Sequence, residues 1–303
     1  MRTKFDDKIL PFTLQVARLN LAVSGLNPQV YDSLPPCHRK FVLSAQEAQP
    51  PLKYEAPGGD TITLALREDA AAKDLSNSAC LWQSENWELW QDGLGCYSFI
   101  SHHDGRDFQI DLDADFSNGE ICGDLASEPG QVFYPFEHMG ILLYVNWLAN
   151  FGDLLLHASG VSHEGRGYCF VGESGAGKST LLAALASQKG FTALGEDQVI
   201  IRLIDNEFWL FGTPWHTQPD LCSPLGVPLE RVIFLDRTRE PQLSAVAPAE
   251  GVMRLLQTAF IPYYRPVAVE AQLERMARLA EKKPFSLLSY RLGDDVARLI
   301  FDA

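Results

Sequence analysis

Between residues 172 and 180 the chain reads Gly172-Glu173-Ser174-Gly175-Ala176-Gly177-Lys178-Ser179-Thr180. The pattern G-x-x-x-x-G-K-[ST] is met at every specified position, and at ordinary residue usage a chain of this length meets it by accident about once in a hundred. Small residues let the backbone curl so that several amide N–H groups point at one anion. A helix starting there adds the positive end of its dipole. The order of residue types is therefore that of a loop cradling nucleotide phosphates. Lys178 would bridge the β- and γ-phosphates, and the Ser179 hydroxyl would ligate Mg²⁺. The competing reading is a glycine-rich turn that does no more than cap a helix.

Phosphoryl chemistry also needs an acid beside the loop, to hold metal and to take the proton of an attacking hydroxyl. Two segments offer one. Arg231-Val232-Ile233-Phe234-Leu235-Asp236 is an apolar strand ending in an acid, the Walker B pattern. Leu194-Gly195-Glu196-Asp197 comes soon after the loop, its acids 18 and 19 residues past Lys178. A helix and a short return strand would bring Glu196 and Asp197 back to the phosphate end of a sheet. There one carboxylate could hold metal and the other accept a proton. Asp236 could equally be a turn residue, and Glu196 and Asp197 a solvated strand end. His157, one strand from the loop, could orient an acid or accept a proton, or sit hydrogen-bonded in a core. Trp215 and His216 either line a substrate or base pocket or simply pack. Arg231, Arg237, Arg239 and Arg265 are possible phosphate clamps, though surface solvation accounts for most arginines.

The elements that must position these residues alternate after residue 150, as in an α/β domain. Apolar runs predict strands over Leu154–Val161, Tyr168–Gly172, Gln198–Leu203, Phe208–Phe211, Arg231–Leu235 and Phe285–Ser289. Periodicity predicts helices over Ser179–Gln188, Pro248–Phe260, Val267–Glu281 and Asp294–Phe301. Ahead of them a helix over 134–149, with Phe136, Met139, Gly140, Leu143 and Trp147 on one face, joins this half to a different first half. Residues 1–130 carry short alternating stretches at Thr61–Leu66, Trp87–Gln91, Cys96–Ser101 and Phe108–Leu112. Turn signals at Pro57-Gly58-Gly59, Asp92-Gly93, Asp104-Gly105 and Asn118-Gly119 separate them. A β meander or small sandwich fits. Trp82, Trp87 and Trp90 could stack on a sugar or base, but filling a small β core is the preferred reading.

The runs LLLHASGV (154–161), GYCFVGESGAGKSTLLAAL (167–185) and ALGEDQVII (193–201) together resemble the C-terminal domain of HPr kinase/phosphorylase, whose fold is related to ATP-dependent phosphoenolpyruvate carboxykinase. The short Gly212-Thr213-Pro214-Trp215 segment is similar to one in HPr-kinase-like proteins of bacterial gene clusters, including those that phosphorylate lasso-peptide precursors. The resemblance implies a P-loop kinase acting on a serine hydroxyl with ATP and Mg²⁺. It places Lys178 and Ser179 on phosphate and metal, Glu196 and Asp197 at the acid pair, and His157 at a strand histidine. Thr180 stands where the bifunctional enzymes carry Glu, and Glu196 where they carry Asp, so kinase rather than phosphorylase chemistry is implied. The first half does not resemble that of HPr kinase.

The 303 residues, 46% hydrophobic and 21% charged, are ample for one large core or two smaller ones. The net charge of −14 is uneven: residues 1–150 hold 21 acids and 10 bases, the rest 18 and 15. Such an acidic first half argues against a nucleic-acid or anionic-membrane surface there. Six scattered cysteines without metal-ligand spacing suit buried thiols in a reducing compartment. The opening MRTKFDDKILPF is charged where a signal peptide would be apolar, and no apolar run approaches a membrane span. A cytoplasmic protein is expected, without nucleic-acid or membrane partners, and with a homo-oligomer left open. The expected architecture is a β-rich domain over 1–130, then a phosphoenolpyruvate carboxykinase/HPr kinase-like α/β P-loop domain over 131–303. The expected activity is transfer of the γ-phosphoryl of ATP to a serine hydroxyl of a peptide or protein. A small-molecule kinase, or a P-loop ATPase or regulatory module using Asp236, are the alternatives.

Overall fold

The structure, a computed structural model, describes residues 12–25, 34–43, 60–67, 73–103, 106–122, 134–216, 218–237, 240–291 and 296–301. The turn signal at Pro57-Gly58-Gly59, the dipeptide Asp104-Gly105, Arg239, the side chain of Phe136 and the first residues of the last predicted helix lie outside the described residues. The chain divides into two compact units. One comprises Met1–Pro35 and Val42–Gly140, the other Pro36–Phe41 and Ile141–Ala303.

The first unit is built on eight strands: β1 (Phe12–Val16), β2 (Leu19–Ser24), β3 (Thr61–Arg67), β4 (Ala79–Gln83), β5 (Trp87–Gln91), β6 (Tyr97–His103), β7 (Arg106–Leu112) and β8 (Asn118–Cys122). They form one sheet in the order β1-β2-β3-β8-β7-β6-β5-β4, with an antiparallel meander from β4 to β8. The ladders β2–β3 and β3–β8 are parallel. Alternate residues such as Leu19, Leu21, Val23, Ile62, Leu64, Phe99, Phe108 and Ile110 supply its buried face.

Two expectations for this unit are corrected. Asn118-Gly119 is not a turn but the start of β8. A Cβ on Gly119 would lie 2.1 Å from the carbonyl oxygen of Asp111 on the neighbouring strand, so this glycine answers to close strand approach. The turn itself is built just before it by Asp113, whose carboxylate accepts from the amides of Ser117 (2.8 Å) and Asn118 (3.1 Å). The tryptophans do not fill the core. Trp82 is 46% exposed and stacks on half-buried Trp87 at 5.9 Å, and Trp90 donates its ring N–H to Glu88 at 2.7 Å. β4 is an edge strand with little covering it, which is why Trp82 cannot be enclosed.

Helix α1 (Tyr134–Asn150) runs across the boundary between the units, with Met139, Leu143 and Trp147 buried. Gly152, at φ +70, follows it. Then come β9 (Leu154–His163), β10 (Arg166–Val171), α2 (Lys178–Ala186), β11 (Phe191–Gly195), β12 (Gln198–Ile204), β13 (Glu207–Gly212) and a 3₁₀ turn at Pro219–Leu221. β14 (Gly226–Asp236), β15 (Gln242–Ala245), α3 (Pro248–Leu256), α4 (Pro266–Lys282), β16 (Phe285–Ser289) and α5 (Val296–Phe301) complete the unit.

The sheet runs β10-β9-β12-β13-β14-β16-β15, and a parallel ladder between β10 and β14 closes its first five strands into a ring. β9 and β14 reach 10 and 11 residues because each serves two sets of neighbours. β9 pairs through Leu154–His157 with β12, and through Ala158–His163 with β10. Along β10 and β14 successive residues feed opposite cores. Cys169, Val171, Val232 and Phe234 face one, Phe170, Ile233 and Leu235 the other. A strand buried on both faces reads as an unbroken apolar run, which is how these segments stand out in the sequence.

The predicted helix over Pro248–Phe260 stops at Leu256. The residues after it turn extended and clip onto β9: His157 N–H donates to the Thr258 carbonyl at 2.7 Å, and Phe260 N–H to that of Leu155 at 3.0 Å. Backbone pairing with β9 wins there over another turn of helix.

Candidate functional site

β14 runs parallel to β10 on one side and to β16 on the other, so their C-terminal ends, Val171, Asp236 and Ser289, arrive at the same side of the sheet. The loop Gly172–Gly177 leaves from that side and enters α2, whose Leu181, Leu182 and Leu185 bury against Val161, Phe170 and Ala193. Helix packing thus fixes where the loop points. Gly175 and Gly177 adopt φ of +80 and +91, a region that favours glycine. At Gly177 a Cβ would also meet the Tyr290 hydroxyl at 2.6 Å. No side chain caps the start of α2, so its first amides are offered to whatever occupies the loop. Tyr290 donates to the Ala176 carbonyl at 3.0 Å and Arg237 to that of Gly175 at 3.0 Å, bracing the loop from β16 and β14.

Lys178 is 6% exposed, while Glu173, Ser174, Gly175, Ser179 and Thr180 are exposed and Gly172, Ala176 and Gly177 intermediate. The lysine ammonium donates to the carbonyls of Gly172 (2.8 Å) and Glu173 (3.2 Å) and approaches His157 Nε2 at 3.2 Å. On its other side His157 Nδ1 stands 3.6 Å from Asp197 Oδ1. An ammonium beside Nε2 and a carboxylate beside Nδ1 select the tautomer with the proton on Nδ1. Burial lowers the Lys178 pKa, and the Asp197 charge opposes that shift.

The turn carrying the acid pair is sewn to β9. Ala158 N–H donates to the Asp197 carbonyl at 3.1 Å, and the Ser159 hydroxyl donates to that of Glu196. Asp197 is exposed, whereas Glu196 is half-buried. Glu196 Oε1 accepts from Gln218 at 3.4 Å, and its Oε2 is buried with no hydrogen-bond partner among the described residues.

A cavity of about 710 Å³ opens in front of the loop, lined by Gly172–Ala176, His157, Asp236, Arg237, Arg254, Gln257 and Thr258 among others. Asp236 therefore shares the loop's cavity, on the strand beside that of the loop, whereas Glu196 and Asp197 do not line it, and Asp197 approaches the loop lysine only by way of His157. Trp215 and His216 do not line this cavity. Trp215 packs edge-on to Tyr144 at 5.3 Å, and His216, bonded to Thr213 Oγ1 at 3.1 Å, is pushed down to a pKa of about 4 by burial. Arg265 ties the Asn146 carbonyl (2.8 Å) and Asn150 Oδ1 (2.6 Å) of α1. Arg231 does not line the cavity either, whereas Arg237 does. Arg254, Gln257, Thr258 and Tyr290 escaped sequence reasoning. Tyr290 had a signal, since it follows a strand parallel to those ending at the loop.

The glycine cradle, whose positions 175 and 177 hold backbone unsuited to other residues, fits nucleotide phosphates. The unpartnered Oε2 of Glu196 is an oxygen of the kind Mg²⁺ takes, with Ser179 and Asp197 the other oxygen-bearing candidates of the sequence. Among the described residues there is no cluster of three or more His, Cys, Asp or Glu that could hold a metal.

No family model matches the chain. No curated protein matches it. Solved structures do match, 43 chains in all. One is the HPr(Ser) kinase/phosphatase from Coxiella burnetii, at 15% identity over 48% of this chain and 85% of that one, with a TM-score of 0.28. Likeness at that level fixes neither the fold nor an activity, and the chemistry has to be read from the site itself. What the site presents is a mixed α/β unit with a phosphate-loop sequence at the ends of three parallel strands. No helix among the described residues is long and apolar enough to cross a membrane.

Proposed function

We propose that the protein is an ATP-dependent phosphotransferase that moves the γ-phosphoryl group to a hydroxyl, a serine of a peptide or protein. One observation carries this reading: the lysine of the phosphate loop is joined through His157 to the exposed carboxylate of Asp197. That chain would give an acceptor hydroxyl a base linked to the loop lysine, which a purely nucleotide-sensing loop does not require. The resemblance of the three motif runs to HPr-kinase-like domains points the same way.

In this reading the amides of the loop and of the first turn of α2 bind the phosphates, and Lys178 leaves its carbonyl partners for the β- and γ-oxygens. Asp197 accepts the proton of the acceptor hydroxyl as its oxygen bonds to the γ-phosphorus. The bond to the bridging oxygen breaks and its electron pair leaves on ADP. His157 orients Asp197 through Nδ1 and Lys178 through Nε2. Ser179, Glu196 and Asp197 would hold Mg²⁺, which when bound neutralises charge on the phosphates. A small-molecule acceptor uses the same machinery.

A second reading has its own observation. Asp236 ends the strand parallel to β10 and lines the cavity, as the acid of an ordinary P-loop ATPase would. The two readings separate on paired variants. Asp197→Asn keeps the shape of the side chain and removes its basicity, and is expected to cost ~10²–10⁴ in transfer from γ-³²P-ATP, with lysate of the source organism supplying the acceptor. Asp236→Asn is expected to cost only a few-fold, with circular dichroism confirming both folds. Near-normal transfer in Asp197→Asn together with collapse in Asp236→Asn would move the acid's role to Asp236, and label released only as inorganic phosphate would establish the ATPase reading instead. Label on a small metabolite alone would replace the peptide acceptor.

A further inference from the structure

A phosphoryl group in transit spreads negative charge over its oxygens, and a lysine and a metal on the nucleotide side leave its far side open. Among the described residues, the arginines conspicuous in the sequence do not meet that need. Arg265 is spent on α1, Arg231 lies outside the cavity, and Arg237 holds the Gly175 carbonyl. Another, Arg254 in the last turn of α3, lines the same cavity as the loop. Its guanidinium lies over the ring of Phe234, the guanidinium carbon 5.5 Å from the ring centre. Its Nε and one terminal nitrogen both bind Glu250 Oε1, at 3.0 and 2.8 Å.

We propose that Arg254 is a catalytic residue of the phosphoryl transfer, swinging from Glu250 onto the γ-phosphoryl oxygens once the nucleotide is bound. The proposal rests on the phosphotransferase reading. Three features support it. The Glu250–Arg254 pair is an i,i+4 contact with side chains 52% and 38% exposed, the weakest class of ion pair, so exchanging the carboxylate for a phosphoryl group opposes little. The Phe234 ring, itself buried and lining the cavity, holds the guanidinium at the cavity before the swing. His157, Gln257 and Thr258 share the cavity, and the backbone of Thr258 is locked to that of His157, so α3 holds Arg254 at the cavity from a fixed support. A planar fork suits phosphoryl oxygens in a way that an ammonium does not.

The test uses a mimic of the transferring group, so that it does not depend on knowing the acceptor. Affinity for ADP·Mg²⁺ is measured by calorimetry on the full chain with and without aluminium fluoride. Wild type is expected to gain at least a hundredfold from the fluoride. Arg254→Gln and Arg254→Lys should lose most of that gain while binding ADP alone within threefold of wild type. Glu250→Gln should keep or increase it. A structural role for the ion pair would instead move the Glu250 and Arg254 variants together. Retention of the full gain in Arg254→Gln, absence of any gain in wild type, or parallel loss in Glu250→Gln would each overturn the assignment while leaving the phosphate loop standing. Wild type that binds no ADP at all would remove the phosphotransferase reading and this inference with it.

Discussion

Lys178 and Ser179 declare their chemistry through spacing within nine consecutive residues, because the loop that needs them is local. His157 and Asp197 lie 40 positions apart, and only pairing between β9 and β12 brings them together. Arg254 was not legible at all, since a helical arginine beside an i,i+4 glutamate reads as surface solvation, and only tertiary packing turns it towards a cavity. Two further residues act singly through protons. His38, 1% exposed, and its neighbour His216 are held at pKa values of about 3 and about 4, chiefly by burial, with Asp197 partly opposing it for His216. Both stay neutral in the folded protein while the unfolded chain binds protons from pH 6.5 downwards. The unfolded state therefore takes up more protons below pH 6.5, and stability falls as pH falls from there towards 4. Each histidine costs ~1.4 kcal/mol per pH unit in that window, so about 2 kcal/mol at pH 5. Denaturant unfolding at pH 7.5 and 5 should show a smaller acid loss in His216→Gln than in wild type, by about that 2 kcal/mol. An identical loss in the two proteins would refute the argument.

Elements were legible where burial on both faces leaves an unbroken apolar run, as in β10 and the last half of β14, and where a helix ends in glycine. They were less so where the reason for a residue lies on another strand. Pro228 and Glu230 interrupt the apolar pattern of β14, yet that stretch still pairs with β13. Gly119 looked like a turn because its clash partner, the Asp111 carbonyl, belongs to a different strand. Gly251 is the same lesson in a helix. A Cβ there would lie 1.8 Å from a ring carbon of Phe285, so α3 packs against β16 through a missing side chain. Gly251→Ala gains up to ~1 kcal/mol of helix propensity but overpacks a core contact, which costs ~1–3 kcal/mol. Overpacking wins, and the expected result is a lower melting temperature together with weaker phosphoryl transfer, since α3 also carries Arg254. A variant as stable and as active as wild type would show that α3 can shift without consequence.

At the scale of the whole molecule, the chain forms two compact units, Met1–Pro35 with Val42–Gly140 and Pro36–Phe41 with Ile141–Ala303. What ties the second unit to itself was invisible in the sequence. Asp153, fully buried, accepts from Arg202 at 2.7 Å and from Arg275 at 3.0 Å, joining the start of β9 to β12 and α4. Arg202 is 2% exposed, so removing its partner leaves a buried cation without its counter-charge. Asp153→Asn is expected to destabilise by ~3–5 kcal/mol in urea unfolding, and pairing it with Arg202→Met to recover much of that loss. Equal stability of Asp153→Asn and wild type would mean that the cluster contributes shape alone.

One feature of the chain path reaches beyond the folded state. The residues Pro36–Phe41 belong to the second unit although the first unit surrounds them in sequence, and Lys40 clasps the carbonyls of Pro219 and Cys222. Between Lys40 and Pro219 lie 179 positions. At ~5–20 residues per second, a ribosome needs roughly 9–36 seconds to travel that distance. For that interval the segment has been synthesised while its binding site has not. The second unit therefore cannot close during translation until most of the chain has emerged, and a gene cut at the boundary helix would part the lysine from its clasp.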